Sequence, residues 1–478
     1  MQILVLEAST TSAKAMLYDQ NLGIVDIQVK AYSDSINANG THDVDGLFYA
    51  LMDIGRQVAA GHDIAAVALI GTWHSLLVCN ANLEPITRCF TWVSTMGNEI
   101  TKQIRQNNKL VSDLYSSTGC MVNTTYPLYK LMHLSQNGMD LSNCRIMGEN
   151  DYIFYRLTGE IATSISAASG SGFLNIRELK WNDLSTCLSG IKKEQLPPIY
   201  DYGMSAPLRQ DIAERLNIAA GIPVTIPQAD GAMNHLGAGA LRPGIMTLSV
   251  GTSAAARMIR SKPEAMASEG TWCYYAPTSW LGGVATAGAT SCLDWFMHHM
   301  AGEISYKEFE DDLIIEKDSP YFLPFLFGER CPGWNDTRYG GFHCLRSKHG
   351  KQALYGAILE GVLYNLFHAY QYLVKASGTP TTILISGGIT NSTCWMQMIA
   401  DIWQQSFTIR RDTSQASMLG GAAIAMHVLD ELPDVTTFNI DYKNSVPINP
   451  RSEMANFYAE RFAGYKMLYN LDDRISFK

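Results

Sequence analysis

The sequence lacks the short motifs that give many proteins away. It has ten cysteines, but no two lie closer than Cys79 and Cys89. A CxxC pair or a zinc-spaced Cys/His cluster is therefore excluded, and the scattered thiols read as small hydrophobic filler. No run of about 18 apolar residues occurs, which excludes a membrane-spanning helix. There is no basic stripe of the kind a nucleic-acid binder needs, and the formal net charge is -9. That balance still allows a local cationic or amide-lined site for a small anion. The chain opens directly into an apolar segment, Ile3–Leu6, without a basic leader or cleavage site, and with its dispersed thiols this predicts a cytoplasmic protein. GxxxxGK[ST] is also missing, so a Walker-type phosphate loop is not available.

What is present suits a large folded molecule. Hydrophobic residues make up 47% of the 478 and charged residues 17%, enough to build sizeable cores and to argue against disorder. Two or three folding units are expected at this length. The opening reads strand, tight turn, strand: Gln2–Leu6, a turn of small hydroxylated residues, then Lys14–Tyr18. A further strand is expected at Ile64–Ile70, and helical periodicity runs through Val44–Ala60 and Asp151–Leu157. Alternating strands and helices place the chain in the α/β class.

The opening device returns near mid-chain. Ile245–Val250 and Ala254–Ile259 are strand candidates joined by Gly251-Thr252-Ser253. A repeat at about half the chain length suggests duplicated domains. Leu241-Arg242-Pro243-Gly244 carries turn chemistry, so the boundary is placed there, giving domains 1–242 and 243–478. Downstream, Leu384–Ser386 reads as a strand ending in Gly387-Gly388, followed by helices at about Cys394–Gln405 and Ala416–Met426. Gly420 and Gly421 would permit a close approach in the second of these. The tail, Ser452–Leu471, has helical spacing of Met454, Phe457, Phe462 and Tyr465, an aromatic stripe expected to pack into a core.

Small residues in tight turns let backbone N–H groups come close to phosphates. Two such turns, one per half, could grip a phosphate chain from both sides. Phosphoryl transfer to an alcohol further needs a carboxylate near the nucleophile and a magnesium site. Asp230, in Gln228-Ala229-Asp230-Gly231, precedes a helical run at Ala232–Ala240. It reads either as that helix's cap or as a carboxylate lining a cleft. Glu7 ends the first strand beside the hydroxylated turn and reads as a solvated charge or a site residue.

These motifs, in this order, resemble those of the FGGY carbohydrate kinases, and among them most closely the gluconokinases. Glu7-Ala8-Ser9-Thr10-Thr11-Ser12-Ala13-Lys14 stands where the family has Asp-x-Gly-Thr-Thr-Ser-x-Lys. His74-Ser75-Leu76 matches a segment near the sugar site, and Asp151-Tyr152 through Thr158-Gly159 matches a further block. Asp230 falls on the family's catalytic base. Gly231 beside it is more typical of gluconokinases than of xylulokinases, where Asn is usual. Gly251-Thr252-Ser253 matches a phosphate loop, and Phe322–Pro332 and Gly387-Gly388 with Ser392 match later signatures.

The resemblance implies two actin-like, ribonuclease H-like ATPase domains of βββαβαβα type around a cleft. It implies ATP and Mg²⁺ as cofactors, with a small sugar or sugar acid as the other partner and a homodimer as a possible assembly. Asp230 would be the catalytic base. Trp73, His74, Trp92, Asp230 and Gly231 would bind the sugar. Thr10, Thr11, Ser12, Lys14, Gly251, Thr252, Ser253, Gly387, Gly388 and Ser392 would bind the nucleotide. Glu7 and Asp230 would hold the metal. Several positions depart from the family pattern. Glu7 and Ser9 replace Asp and Gly, Trp73 replaces Met, and Trp-x-Asp-x-Arg becomes Trp92-Val93-Ser94-Thr95-Met96, without either charge. Ser94 and Met96 would then form a more apolar wall beside Trp92 and Trp73. The alternatives are a kinase for another polyol or ketose such as xylulose, or a member that binds sugar or nucleotide without turnover.

Overall fold

The computed structural model describes residues 1–263, 270–410, 415–438 and 445–472. Two seven-stranded mixed sheets organise the chain. The first begins with an antiparallel meander: β1 (Gln2–Ala8), β2 (Ser12–Asp19) and β3 (Gly23–Ala31). Helix α1 (Val44–Ala59) then leads to β4 (Ile64–Gly71), parallel to β1. Helix α2 (Glu149–Thr158) leads on to β5 (Pro223–Thr225), parallel to β4, and α3 (Asp230–Gly237) closes the unit.

The second sheet repeats this plan. Strands β6 (Ile245–Val250), β7 (Ala254–Arg260) and β8 (Trp280–Thr286) form an antiparallel meander. Helix α4 (Thr290–Phe296) begins just beyond it, and the long α5 (Lys351–Ser377) leads to β9 (Thr382–Ser386), parallel to β6. Helix α6 (Thr393–Trp403) leads to β10 (Phe407–Arg410), parallel to β9, followed by α7 (Ala416–Val428). Both units therefore read βββαβαβα, with insertions, and the expected two-domain actin-like fold is what the chain adopts. Among the described residues no helix is long and apolar enough to cross a membrane.

Period-two alternation divides the residues of β1 between two cores. Leu4 and Leu6 pack with Leu47, Phe48 and Leu51 of α1, while Ile3 and Val5 join the larger core with Met233 of α3. The two units meet where α3 crosses α7. A methyl group at Gly237 would lie 1.8 Å from the Ala416 carbonyl oxygen, and one at Gly420 would lie 2.2 Å from that of Met233. Backbone thus rests on backbone at this crossing, which only glycine allows. In the tail, α8 (Ala455–Asp472) buries Phe462 and Tyr465. It is also fixed by Arg461, whose guanidinium meets Glu360 of α5 at 2.5 Å with both side chains buried.

Candidate active site

Sheet connectivity brings the hydroxylated turn, the end of β4 and the start of α3 together. Antiparallel register sets Glu7 opposite Lys14, and the ammonium donates to its carboxylate at 2.8 Å. The other carboxylate oxygen accepts from Ser417 Oγ at 2.5 Å, so Glu7 links the first unit to α7 of the second. Within the turn, Ser9 and Ser12 hydroxyls pair at 3.0 Å and Thr11 is exposed. Thr10 is braced from three directions. Its hydroxyl accepts from Trp92 Nε1–H at 2.9 Å, and its carbonyl accepts from His42 Nε2–H at 2.9 Å and Asn37 at 3.1 Å. His42 in turn contacts Glu149 at 2.5 Å in a fully buried pair. Burial opposes charge on this imidazole, but Glu149 outweighs it and raises the pKa.

Asp230 is the first residue of α3, not its cap. The helix starts after Ala229, whose side chain has no oxygen to offer, and Asp230 Oδ1 accepts from the next N–H, Gly231, at 2.6 Å. Burial pushes the Asp230 carboxyl up to about 6, and Glu7 adds to the rise, while Arg257 and Lys14 oppose it. The group is thus a carboxylate of raised basicity.

Asp230 lies on the wall of a cavity of about 250 Å³ shared by both units. That is just under the ~300–1,000 Å³ range of drug-sized sites and suits a small polar ligand. From the first unit come Thr10, Trp73, His74 and Trp92. His74 has a left-handed backbone, φ 70°, and its Nδ1–H donates to the Gly170 carbonyl at 2.6 Å. That leaves Nε2 as an acceptor. Burial, aided by the Arg330 and Lys130 cations, holds the imidazole neutral, well below its ordinary pKa. Trp73 donates to the Ser166 carbonyl at 2.8 Å and packs against Tyr274. Gly231 is the floor under that indole, since a methyl group there would lie 2.3 Å from Trp73 Cζ3 and 3.1 Å from Arg257 Nε.

The second unit supplies residues that the sequence reading did not assign to the sugar site: Ser249, Arg257, Trp272, Tyr274 and Arg330. Arg257 is the only charged residue between Ala254 and Ile259. An arginine interrupting an otherwise apolar strand that ends on Arg260 was the available signal. Arg330 lies 73 residues further on in sequence numbering, and nothing local ties the two together. Ser94 and Met96, expected beside Trp92, do not line the cavity. They belong to the turn beyond Thr91, and only Trp92 of that segment turns inward.

The Gly251-Thr252-Ser253 turn is tied to the start of α4. The Gly251 carbonyl accepts from Thr290 N–H at 2.9 Å and the Thr252 carbonyl from Ala289 N–H at 3.0 Å. Thr252 is exposed, and Gly251 faces open space. Gly387, at φ 95°, lies against Val250, where a methyl group would come within 2.4 Å of its carbonyl oxygen. Gly388 has only Thr290 nearby. The two glycine segments are therefore neighbours with accessible backbone. Ser392 sits apart in role: its hydroxyl caps α6, accepting from Trp395 N–H at 3.1 Å, and donates to Glu310 at 2.9 Å.

For a hard divalent cation the nearby carboxylates are Glu7 and Asp230, whose charges already act on one another. Both Glu7 oxygens already accept, from Lys14 and Ser417, so Glu7 would reach the ion through water or by releasing one of them. Among the described residues no cluster of three or more potential ligands exists. Two carboxylates fit Mg²⁺, which keeps several waters and completes its shell with substrate phosphates.

Comparison with known proteins bears on the family and the fold. The family model for the N-terminal domain of the FGGY family of carbohydrate kinases matches residues 2–237, and that for the C-terminal domain matches residues 246–429. A gluconokinase of Bacillus subtilis (strain 168) is 25% identical over 454 residues, 89% of this chain and 87% of that protein. Ligand-bound xylulose kinase from Lactobacillus acidophilus superposes with a TM-score of 0.91 at 25% identity, covering 99% and 98% of the two chains. Gluconate kinase from the same organism gives 0.90 at 25%, covering 98% of each.

Proposed function

Because the chain belongs to the FGGY family of carbohydrate kinases, we propose that it transfers the γ-phosphoryl group of ATP to a hydroxyl of gluconate or a closely related sugar acid. The observation that carries this reading is Asp230: a carboxylate of raised basicity on the wall of a small polar cavity shared by the two halves. In this reading residues 1–242 hold the sugar and residues 243–478 the nucleotide. Asp230 takes the hydroxyl proton as that oxygen attacks the γ-phosphorus. His74 Nε2 accepts from a second hydroxyl, and Trp73 and Trp92 present ring surface to the carbon chain. Thr10, Thr11, Ser12 and Lys14 face the phosphates from one side and Gly251, Thr252 and Ser253 from the other. Gly387 and Gly388 give the nucleotide close access to backbone, and Ser392 supports that segment through its cap. Glu7 and Asp230 would hold Mg²⁺, which neutralises phosphate charge when bound. The chain's own contribution is positioning and charge complementarity.

A xylulose-type ketose is the second reading, favoured by the equal likeness to xylulose and gluconate kinases. A release assay for ADP over gluconate, xylulose, ribulose and glycerol separates them. Gluconate should give the highest kcat/KM. Preference for a neutral ketose would transfer the assignment to the second reading, and no ADP release with any acceptor would favour a non-catalytic binder.

A further inference from the structure

The cavity wall carries two guanidinium groups against a single carboxylate, Asp230. Arg257 and Arg330 both line it, and neither forms an ion pair among the described residues. The only hydrogen bond of either side chain there is a long one, Arg257 Nη1–H to Ser249 Oγ at 3.3 Å. Each Nε is buried and has no partner. Elsewhere in the same half, buried Arg338 meets Glu329 at 2.9 Å and buried Arg461 meets Glu360 at 2.5 Å, while buried Arg260 donates to the Ala376 carbonyl and faces no carboxylate among the described residues. Arg257 and Arg330 are half-buried, and two guanidinium groups that face one cavity with their Nε–H donors unpaired present a charge-assisted cradle for an anion.

Charge balance points to a monoanion. Asp230 supplies one negative charge on the wall against two positive ones. Arg257 and Arg330 also act on each other: Arg257 is held below its ordinary pKa by burial, and Arg330 adds to that push while Asp230 opposes it. We infer that Arg257 and Arg330 bind the carboxylate of an aldonate and so select it over a neutral polyol or ketose of the same length. This rests on the kinase reading above for the identity of the reaction, not for the identity of the anion site. It also gives Gly231 a reason: any side chain there would press on both Trp73 and Arg257 Nε. The cation expected in the Trp92–Met96 segment is thus supplied from the opposite wall.

The test compares gluconate with D-glucitol, which carries CH₂OH in place of the carboxylate. Binding is followed by the fluorescence of Trp73, Trp92 and Trp272, which line the cavity, and turnover by ADP release. Wild type should favour gluconate by about ten- to hundred-fold, the worth of a charge-assisted hydrogen bond to a carboxylate. Arg257→Gln and Arg330→Gln should each reduce that ratio towards one, with the KM for ATP unchanged. Arg257→Lys should restore part of it, which a folding defect would not. If the pair instead holds the γ-phosphate of ATP, both acceptors fall equally and the KM for ATP rises, which overturns the inference. A wild-type preference for D-glucitol overturns it too while leaving the kinase reading intact. Absence of turnover with every acceptor would end the kinase reading alone, because the binding ratio still decides the carboxylate site.

Discussion

Asp230 carries two opposing demands, and both can be measured. As the base it should be indispensable. Asp230→Asn keeps the acceptor for Gly231 N–H but cannot take a proton, so kcat should fall by about 10²–10⁴. Near-normal turnover would remove the assignment. As a buried acid it should weaken the fold when ionised. Its carboxyl lies at about 6 in the folded protein against an ordinary 3.8. The folded state therefore binds more protons than the unfolded state between these values, and stability from this group falls as pH rises through that window. The loss above pH 6 amounts to up to about 3 kcal/mol. Asp230→Asn should then raise the melting temperature more at pH 8 than at pH 4, and an equal change at both would contradict the raised carboxyl. The sequence nominated Asp230 from its motif but read the helix start two residues late, since a cap and a first-turn carboxylate look alike without coordinates. Arg257 and Arg330 were illegible for another reason. Their meeting depends on β7 and the loop after residue 323 converging, which no local spacing encodes.

Elements were more legible where a pattern of period two or 3.6 was strong. Ile245–Val250 is a strand over the whole expected span, and Val44–Ala60 is helical to Ala59. The run expected at Ala232–Ala240 instead spans Asp230–Gly237. It stops early because Gly237 is pressed against α7 and Gly239 turns the chain at φ 67°. The aromatic stripe of the tail does pack inward, but its anchor is an ion pair the stripe did not announce. Arg461 of α8 also donates to the carbonyls of Lys317, Ser319 and Pro320. Arg461→Ala would leave Glu360 buried and unmatched, costing about 3–5 kcal/mol. Urea denaturation should show a clear fall in midpoint, with the α8 amides losing hydrogen-exchange protection first. A midpoint equal to wild type would mean that the helix is held by its aromatics alone.

At the scale of the whole molecule, the cavity has walls from both units, so a ligand that touches both should draw them together. Small-angle scattering should give a smaller radius of gyration with gluconate plus a nonhydrolysable ATP analogue than without them. An unchanged value at saturation would argue against such motion. The crossing of α3 on α7 sets how far the units can approach. Gly237→Ala or Gly420→Ala places a methyl group where backbone now sits. Each should lower kcat and abolish the ligand-induced contraction. Wild-type contraction in both variants would move the pivot elsewhere.

The shared walls also bear on when the base is strong. Burial is the main cause of Asp230's raised basicity, and part of that burial comes from the second unit. Parting the units rehydrates the carboxylate and returns it towards an ordinary, weakly basic acid, even though Glu7 stays beside it. On the kinase reading, Asp230 would then be the stronger base with the units shut around a sugar and the weaker one with them parted. An ATP bound without a sugar would face water but only a weak base, and one enclosed with a sugar would face the stronger base with bulk water displaced. Economy with ATP would in this way follow from the solvation of a single side chain.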